Sequence, residues 1–120
     1  MSLKDVLNRF ALVSGLSQED ISKWVFVISD CIKFFESRTA NRNFTESERA
    51  RLVHACAVYA YYKYSMINFA YNSGKFKAGD VEITQSEDMI DKAHKMWQEE
   101  KREISDVFDF DDFAFYGVSS

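Results

Sequence analysis

Apolar positions along the chain recur at helical spacing over most of its length. Leu3, Val6, Leu7 and Phe10 share one face of a short amphipathic segment, and Ser14-Gly15 ends it by the usual glycine cap logic. Ser17 then opens a second segment, with Glu19 and Asp20 in the first turn, where the helix dipole favours negative charge. Ile21, Trp24, Val25, Ile28, Cys31, Ile32 and Phe35 follow at steps of three and four, which predicts one continuous helix with a single buried stripe. The polar run ESRTANRNF reads as a loop. Thr45-Glu46-Ser47-Glu48 after it is a capping box, in which Thr45 and Glu48 satisfy each other's backbone donors.

From that cap to about Tyr71 the pattern predicts the longest helix, roughly 40 Å at about 1.5 Å per residue. Leu52, Cys56, Tyr59, Ala60 and Ile67 form one apolar stripe, and Ala55, Val58, Tyr62 and Phe69 form another. Apolar groups on most of the circumference place this helix at the centre of a bundle. Its third side carries His54, Tyr61, Tyr64, Asn68 and Tyr71, which suits a half-wet surface or a subunit contact. The last amphipathic segment is capped by Ser86, with Met89, Ala93, Met96, Trp97 and Ile104 inward and Glu99, Glu100, Lys101, Arg102 and Glu103 on a solvated face.

Between the last two helices lies KAGDVEITQSE, residues 77 to 87. Gly79-Asp80 is a turn signal, and Val81 and Ile83 alternate with Glu82 and Thr84 as in a half-buried strand. Lys75-Phe76-Lys77 against Val81 to Thr84 would make at most a hairpin, over residues 75–85. A lone hairpin is only marginally stable in water, so its edge would be completed by another chain through β-augmentation, or covered by this one. The expected fold class is therefore mainly α: a single four-helix bundle-like domain over residues 1–120, with a long central helix and a short β-hairpin or strand insert before the last helix.

The 120 residues are enough to bury a core, and no proline with only four glycines leaves no room for an interdomain linker. Hydrophobic residues make up 47% and aromatics 16%, which marks a folded chain and leaves rings to supply surfaces as well as a core. A net charge of -4 argues against wrapping nucleic acid, while allowing DNA to slide past. Cys31 and Cys56 read as buried free thiols rather than a disulfide. No signal peptide or membrane span is evident, since His54, Lys63 and Asn68 interrupt the stretch from 52 to 71, and a cytosolic origin follows.

No catalytic, cofactor or metal motif emerges: CxxC, HExxH, a phosphate-cradling glycine loop and a Ser-His-Asp spacing are all missing. Asp91 and His94, three apart on a helix, resemble half of a di-iron site whose second half is missing, so a small metal protein or enzyme is the second alternative. Residues 11 to 30 offer another. ALVSGLSQEDISKW has the spacing of a DNA-reading helix-turn-helix, yet Glu19 and Asp20 put carboxylates where phosphates should approach. The segment past Val107 alternates Phe108, Phe110, Phe113, Phe115 and Tyr116 with Asp109, Asp111 and Asp112. So many rings on one short segment exceed what a solitary chain normally exposes, so the segment either meets a partner or covers the bundle's open end.

In the order of its elements, the chain resembles the head-tail connector (adaptor, neck) proteins of long-tailed bacteriophages and prophages. The likeness runs over residues 3 to 106. It is carried by LSQEDISKWVFVISDCIKFFESRT, ARLVHACAVYAYYKY and FKAGDVEITQSEDMIDKAHKMW. The chain departs from that pattern in lacking a proline near the start of the central helix and in its strongly aromatic end. The resemblance implies a structural protein and not an enzyme, without cofactors. It would assemble as a homo-oligomeric ring in the virion neck after synthesis in the bacterial cytoplasm, touch the portal and the next neck or tail protein, and let DNA through without reading it. It also implies that the insert, with Phe76, Val81 and Ile83, and the end, with Phe108, Phe110, Phe113, Phe115 and Tyr116, are the elements that meet neighbours.

Overall fold

A computed structural model describes residues 1–39, 43–73 and 80–107, with side chains described outside 71–87. Among the described residues there are five helices and no strand: α1 (Leu3–Ser14), α2 (Gln18–Ser22), α3 (Val25–Thr39), α4 (Glu46–Ser73) and α5 (Asp80–Glu103). Helix α4 is the hub, packing against α1, α3 and α5.

The caps follow from the residues that make them. Gly15 ends α1 with φ 72° and ψ 9°, and its N–H donates to the Ala11 carbonyl at 2.9 Å. This left-handed conformation is the one a glycine adopts without cost. The Asp20 N–H donates to Ser17 Oγ at 3.2 Å at the start of α2. At the entrance to α4 the Thr45 N–H donates to Glu48 Oε1 at 2.9 Å and the Glu48 N–H donates to Thr45 Oγ1 at 3.2 Å, the reciprocal pair expected of a capping box.

Helix α3 runs on to Thr39, into the run ESRTANRNF expected as a loop, and the structure corrects the expected elements at two further places. The first is the second helix, which breaks at Lys23-Trp24 into α2 and α3. There the Lys23 and Trp24 N–H groups bond three residues back, to the Asp20 and Ile21 carbonyls, while the Ser22 hydroxyl donates to the Glu19 carbonyl at 2.6 Å. A serine back-bond of this kind competes with helix propagation. The tightened turn brings the Trp24 indole edge-on to Tyr64, with ring centroids 4.7 Å apart.

The second correction is the insert. Asp80, Val81, Glu82, Ile83 and Thr84 belong to α5, so the helix begins before Ser86 and the expected hairpin is not formed. Phe76, its other half, lies outside the described residues. The alternation that suggested a strand is equally readable at helical period: Ile83 stands two turns before Ile90, which stands two turns before Trp97. A helix satisfies its own backbone groups, which a lone strand cannot do.

The core joins Val6 and Phe10 of α1, Ile21, Ile28, Cys31, Ile32 and Phe35 from α2 and α3, Leu52 to Tyr64 of α4, and Trp97, Ile104 and Val107. Ala55, Cys56, Ala57 and Ala60 are fully buried, and such small side chains let neighbouring helices close on α4. Tyr64, expected on a half-wet face, is buried, with its ring edge-on to Phe10 at 6.2 Å and Tyr61 stacked on it at 6.1 Å. Conversely Ile67, Met89 and Met96, expected inward, are exposed. Among the described residues no helix is long and apolar enough to cross a membrane. Cys31 and Cys56 are free and buried, and burial pushes the Cys31 thiol up to about 12 and the Cys56 thiol higher still.

Phe35→Ala is expected to cost about 3–5 kcal/mol in urea unfolding, because it empties a fully buried site, whereas Phe26→Ala at an exposed site should stay within about 0.5 kcal/mol. Neither thiol should react with Ellman's reagent in the folded protein, and both should react once urea unfolds it.

Candidate functional site

Three surfaces carry groups that could act on something outside the chain. The first is where α4 meets the end of α5. Arg51 forks onto Asp106, with Nη2 to Oδ1 at 2.8 Å and Nη1 to Oδ2 at 3.2 Å, and also donates to the Glu103 carbonyl. The fork holds the Asp106 carboxyl below the ordinary carboxylate value and the Arg51 guanidinium above its own. One turn along α4, His54 Nε2 lies 3.6 Å from Glu100 Oε2. The sequence pattern put Glu100 on a solvated face, but it is 8% exposed. Burial raises its carboxyl above the ordinary value, with His54 and Arg51 pulling the other way and Glu103 reinforcing the rise. His54 Nδ1 is buried without a hydrogen-bond partner. Arg9, Ser47, Ala50 and Ile104 complete the walls of an open cleft of about 420 Å³ here.

The second consists of two exposed apolar side chains on different helices. Leu12 on α1 is 76% exposed and Phe26 at the start of α3 is 65% exposed. Neither stood out in the sequence, because each sits beside a periodic apolar position and was absorbed by the stripe next to it.

The third lies where α3, α4 and α5 meet, and repeats one small device three times. The Arg38 guanidinium stands 5.6 Å from the Phe34 ring, the Lys63 ammonium 5.3 Å from Tyr59 and the Lys101 ammonium 5.9 Å from Trp97. The rings form a continuous cluster, with centroids 5.4 Å apart for Phe34 and Tyr59 and 4.7 Å for Tyr59 and Trp97. In each helix the cation follows its ring by one helical turn, so the signal was present in the sequence as an aromatic residue and a base four apart, on three helices.

The residues proposed from sequence fare unevenly. Phe76, Phe108, Phe110, Phe113, Phe115 and Tyr116 lie outside the described residues. Val81 and Ile83 lie on α5, with side chains outside the description. Asp91 and His94 are exposed. His94 Nε2 is 3.1 Å from Gln98 Nε2 and its ring lies 5.4 Å from that of Tyr62. Among the described residues no three ligating side chains gather as a metal would require. In the helix-turn-helix candidate, the segment that would enter a DNA groove is α2, whose five residues include exposed Glu19 and Asp20.

Comparisons with protein-family models, with curated proteins and with solved structures found no match to this chain.

Glu100 generates a pH prediction. Its folded value lies above the ordinary 4.5, so the stability it contributes is full below that value and is lost as pH rises through the raised folded value. Glu100→Gln, which keeps the shape and removes the charge, should match the wild type in urea unfolding at acid pH and exceed it at pH 7. A Gln variant weaker at pH 7 would mean that an ionised Glu100 and a charged His54 bind each other more strongly than burial opposes them.

Proposed function

We propose that this chain is a structural subunit of a phage or prophage neck ring of the head-tail connector type, and not an enzyme. The observation that carries the reading is the exposure of Leu12 on α1 and Phe26 on α3, the two most exposed large apolar side chains among the described residues. Isolated apolar side chains are ordinary at a protein surface, but a phenylalanine two-thirds in water is a large contact area left uncovered. The likeness in helix order to connector proteins gives that surface an occupant, a second copy of the chain.

With a helix where a strand was expected, ring neighbours meet through side chains rather than through a shared sheet. Leu12 and Phe26 would supply the contact between subunits, and the portal and the next neck protein would cover the two ends of the ring. The net charge of -4 fits such a channel, because carboxylates lining it let DNA pass without adhering. The subunit would be made in the bacterial cytoplasm and end in the virion neck. A short α2 with two carboxylates in its first turn speaks against a helix that reads DNA.

Co-expression with a portal protein encoded beside this chain should yield rings visible by electron microscopy, and Leu12→Asp with Phe26→Asp should abolish them while leaving the circular dichroism spectrum and thermal midpoint nearly unchanged. Salt-dependent binding of the isolated chain to duplex DNA, together with no association with portal, would replace the ring with a regulator. A stoichiometric metal in the purified protein would favour the metalloprotein alternative.

A further inference from the structure

We propose that ring neighbours join through two matched rows of side chains, Asp5, Arg9 and Leu12 on α1 of one copy against Lys33, Asp30 and Phe26 on α3 of the next, with the two helices antiparallel. The inference rests on the neck-ring reading for its occupant, a second copy of the chain, and adds which surface of that copy arrives and in what register.

Each row is one exposed face of a helix. Asp5, Arg9 and Leu12 stand at steps of four and three, as do Phe26, Asp30 and Lys33, the spacing that stacks side chains one above another. All six are exposed, while Val6 and Phe10 of α1 and Ile28, Cys31, Ile32 and Phe35 of α3 are buried in the core. Among the described residues none of the four charged groups has an ion-pair partner. Followed away from its apolar residue, the α1 row carries a base and then an acid, and the α3 row an acid and then a base. At about 1.5 Å per residue the charges lie roughly 4.5 and 10.5 Å from Leu12 and roughly 6 and 10.5 Å from Phe26. With Leu12 beside Phe26, Arg9 therefore falls opposite Asp30, and Asp5 opposite Lys33.

The order of signs fits each row to the other and not to itself. Two antiparallel α1 rows would set Arg9 against Arg9 and Leu12 against a carboxylate. Two antiparallel α3 rows would set Asp30 against Asp30 and Phe26 against an ammonium group, and parallel self-pairing opposes like charges throughout. Juxtaposed like charges disfavour a contact. The rows are also separate patches, since the seam between α1 and the α2–α3 corner is lined by Leu7, Asn8, Ile21 and Val25 and by none of the six. A contact between two different patches is head-to-tail: each added copy leaves one row of each kind free, and addition continues until the ring closes.

The α1 row also offers Phe26 a seat. Asp5, Arg9 and Leu12 border a cleft of about 440 Å³ between α1 and α4, with Ala50 and Val53 among its walls. A phenylalanine that is 65% exposed in one copy finds apolar side chains there to cover it. The ring then supplies affinity at the centre of the contact, and the charge pairs beside it supply register.

The test uses the full chain assembled with portal protein, and in parallel the chain alone in concentrated solution. Phe26 is replaced by the photocrosslinking residue p-benzoylphenylalanine in copies mixed with isotope-labelled ones, so that links between chains are recognised by mass. Interchain links are expected on the α1 peptide containing Leu12 and the α4 peptide containing Ala50 and Val53. Arg9→Glu in every copy should lower their yield about fivefold or more, and Asp30→Arg added to it should restore the yield. Asp5→Lys and its rescue by Lys33→Asp should follow the same course. A merely structural role for these exposed residues would give no rescue. Links from Phe26 to α3 of another copy, links that ignore both charge reversals, or no interchain links in either setting overturn the proposal. Rings visible by electron microscopy whose Phe26 links land elsewhere overturn this contact and leave the ring standing. Links with charge rescue in the chain alone, where portal yields no ring, support the contact and overturn only the neck assignment.

Discussion

The bundle depends on α4 being thin in its first half. Ala55, Cys56, Ala57 and Ala60 give that stretch little bulk on the sides it turns to its neighbours, and all four are fully buried. Small side chains at the contact allow axes to approach toward the lower end of the usual 8–10 Å range. Bulk is then supplied from around it, by Phe10 of α1, Phe35 of α3 and Trp97 of α5. Large residues against small ones fill the interior to the density of an organic solid, which a uniform set of leucines would not do. A methyl group added at Ala55 or Ala60 would therefore press on more than one neighbour.

The three surfaces are consequences of that arrangement. With α1, α3 and α5 drawn close around α4, the seam between α3 and α5 holds Tyr59 and the half-buried rings beside it, and cations one turn on fold their stems over those rings. Leu12, on the lip of a cleft between α1 and α4, and Phe26 on α3 are left largely exposed by the described chain. The Arg51 fork and the His54–Glu100 pair hold α4 to the end of α5 from the solvent side. The core therefore sets which polar groups meet as much as which apolar ones do.

How much of this could be read from residues alone varies with the range of the interaction that decides it. The Thr45 and Ser17 caps, the Gly15 turn and the all-round apolar character of α4 depend on neighbours a few residues away, and were legible. The break at Lys23-Trp24 was not, because the stripe from Ile21 to Phe35 runs through it unaltered and the turn is settled by Ser22 and by Tyr64, some forty residues on. Val81 to Thr84 misled because four residues cannot distinguish a period of two from one of 3.6. Glu100 misled because its neighbours Glu99, Lys101, Arg102 and Glu103 are charged, and only the approach of His54 shows that it faces inward. For the candidate sites, the aromatic-then-base spacing on three helices was visible, but its convergence on one face required the fold.

The fork from Arg51 to Asp106 joins positions 55 apart along the chain. During synthesis, α1 to α4 emerge from the ribosome before α5 does, and the side of α4 destined for Trp97, Ile104 and Val107 has nothing to rest on until the final turn of α5 emerges. A nascent chain in that interval displays Ala55, Val58 and Tyr59 to its surroundings, so its greatest vulnerability to chaperone capture or clumping falls before α5 emerges. The bundle closes only when α5 arrives.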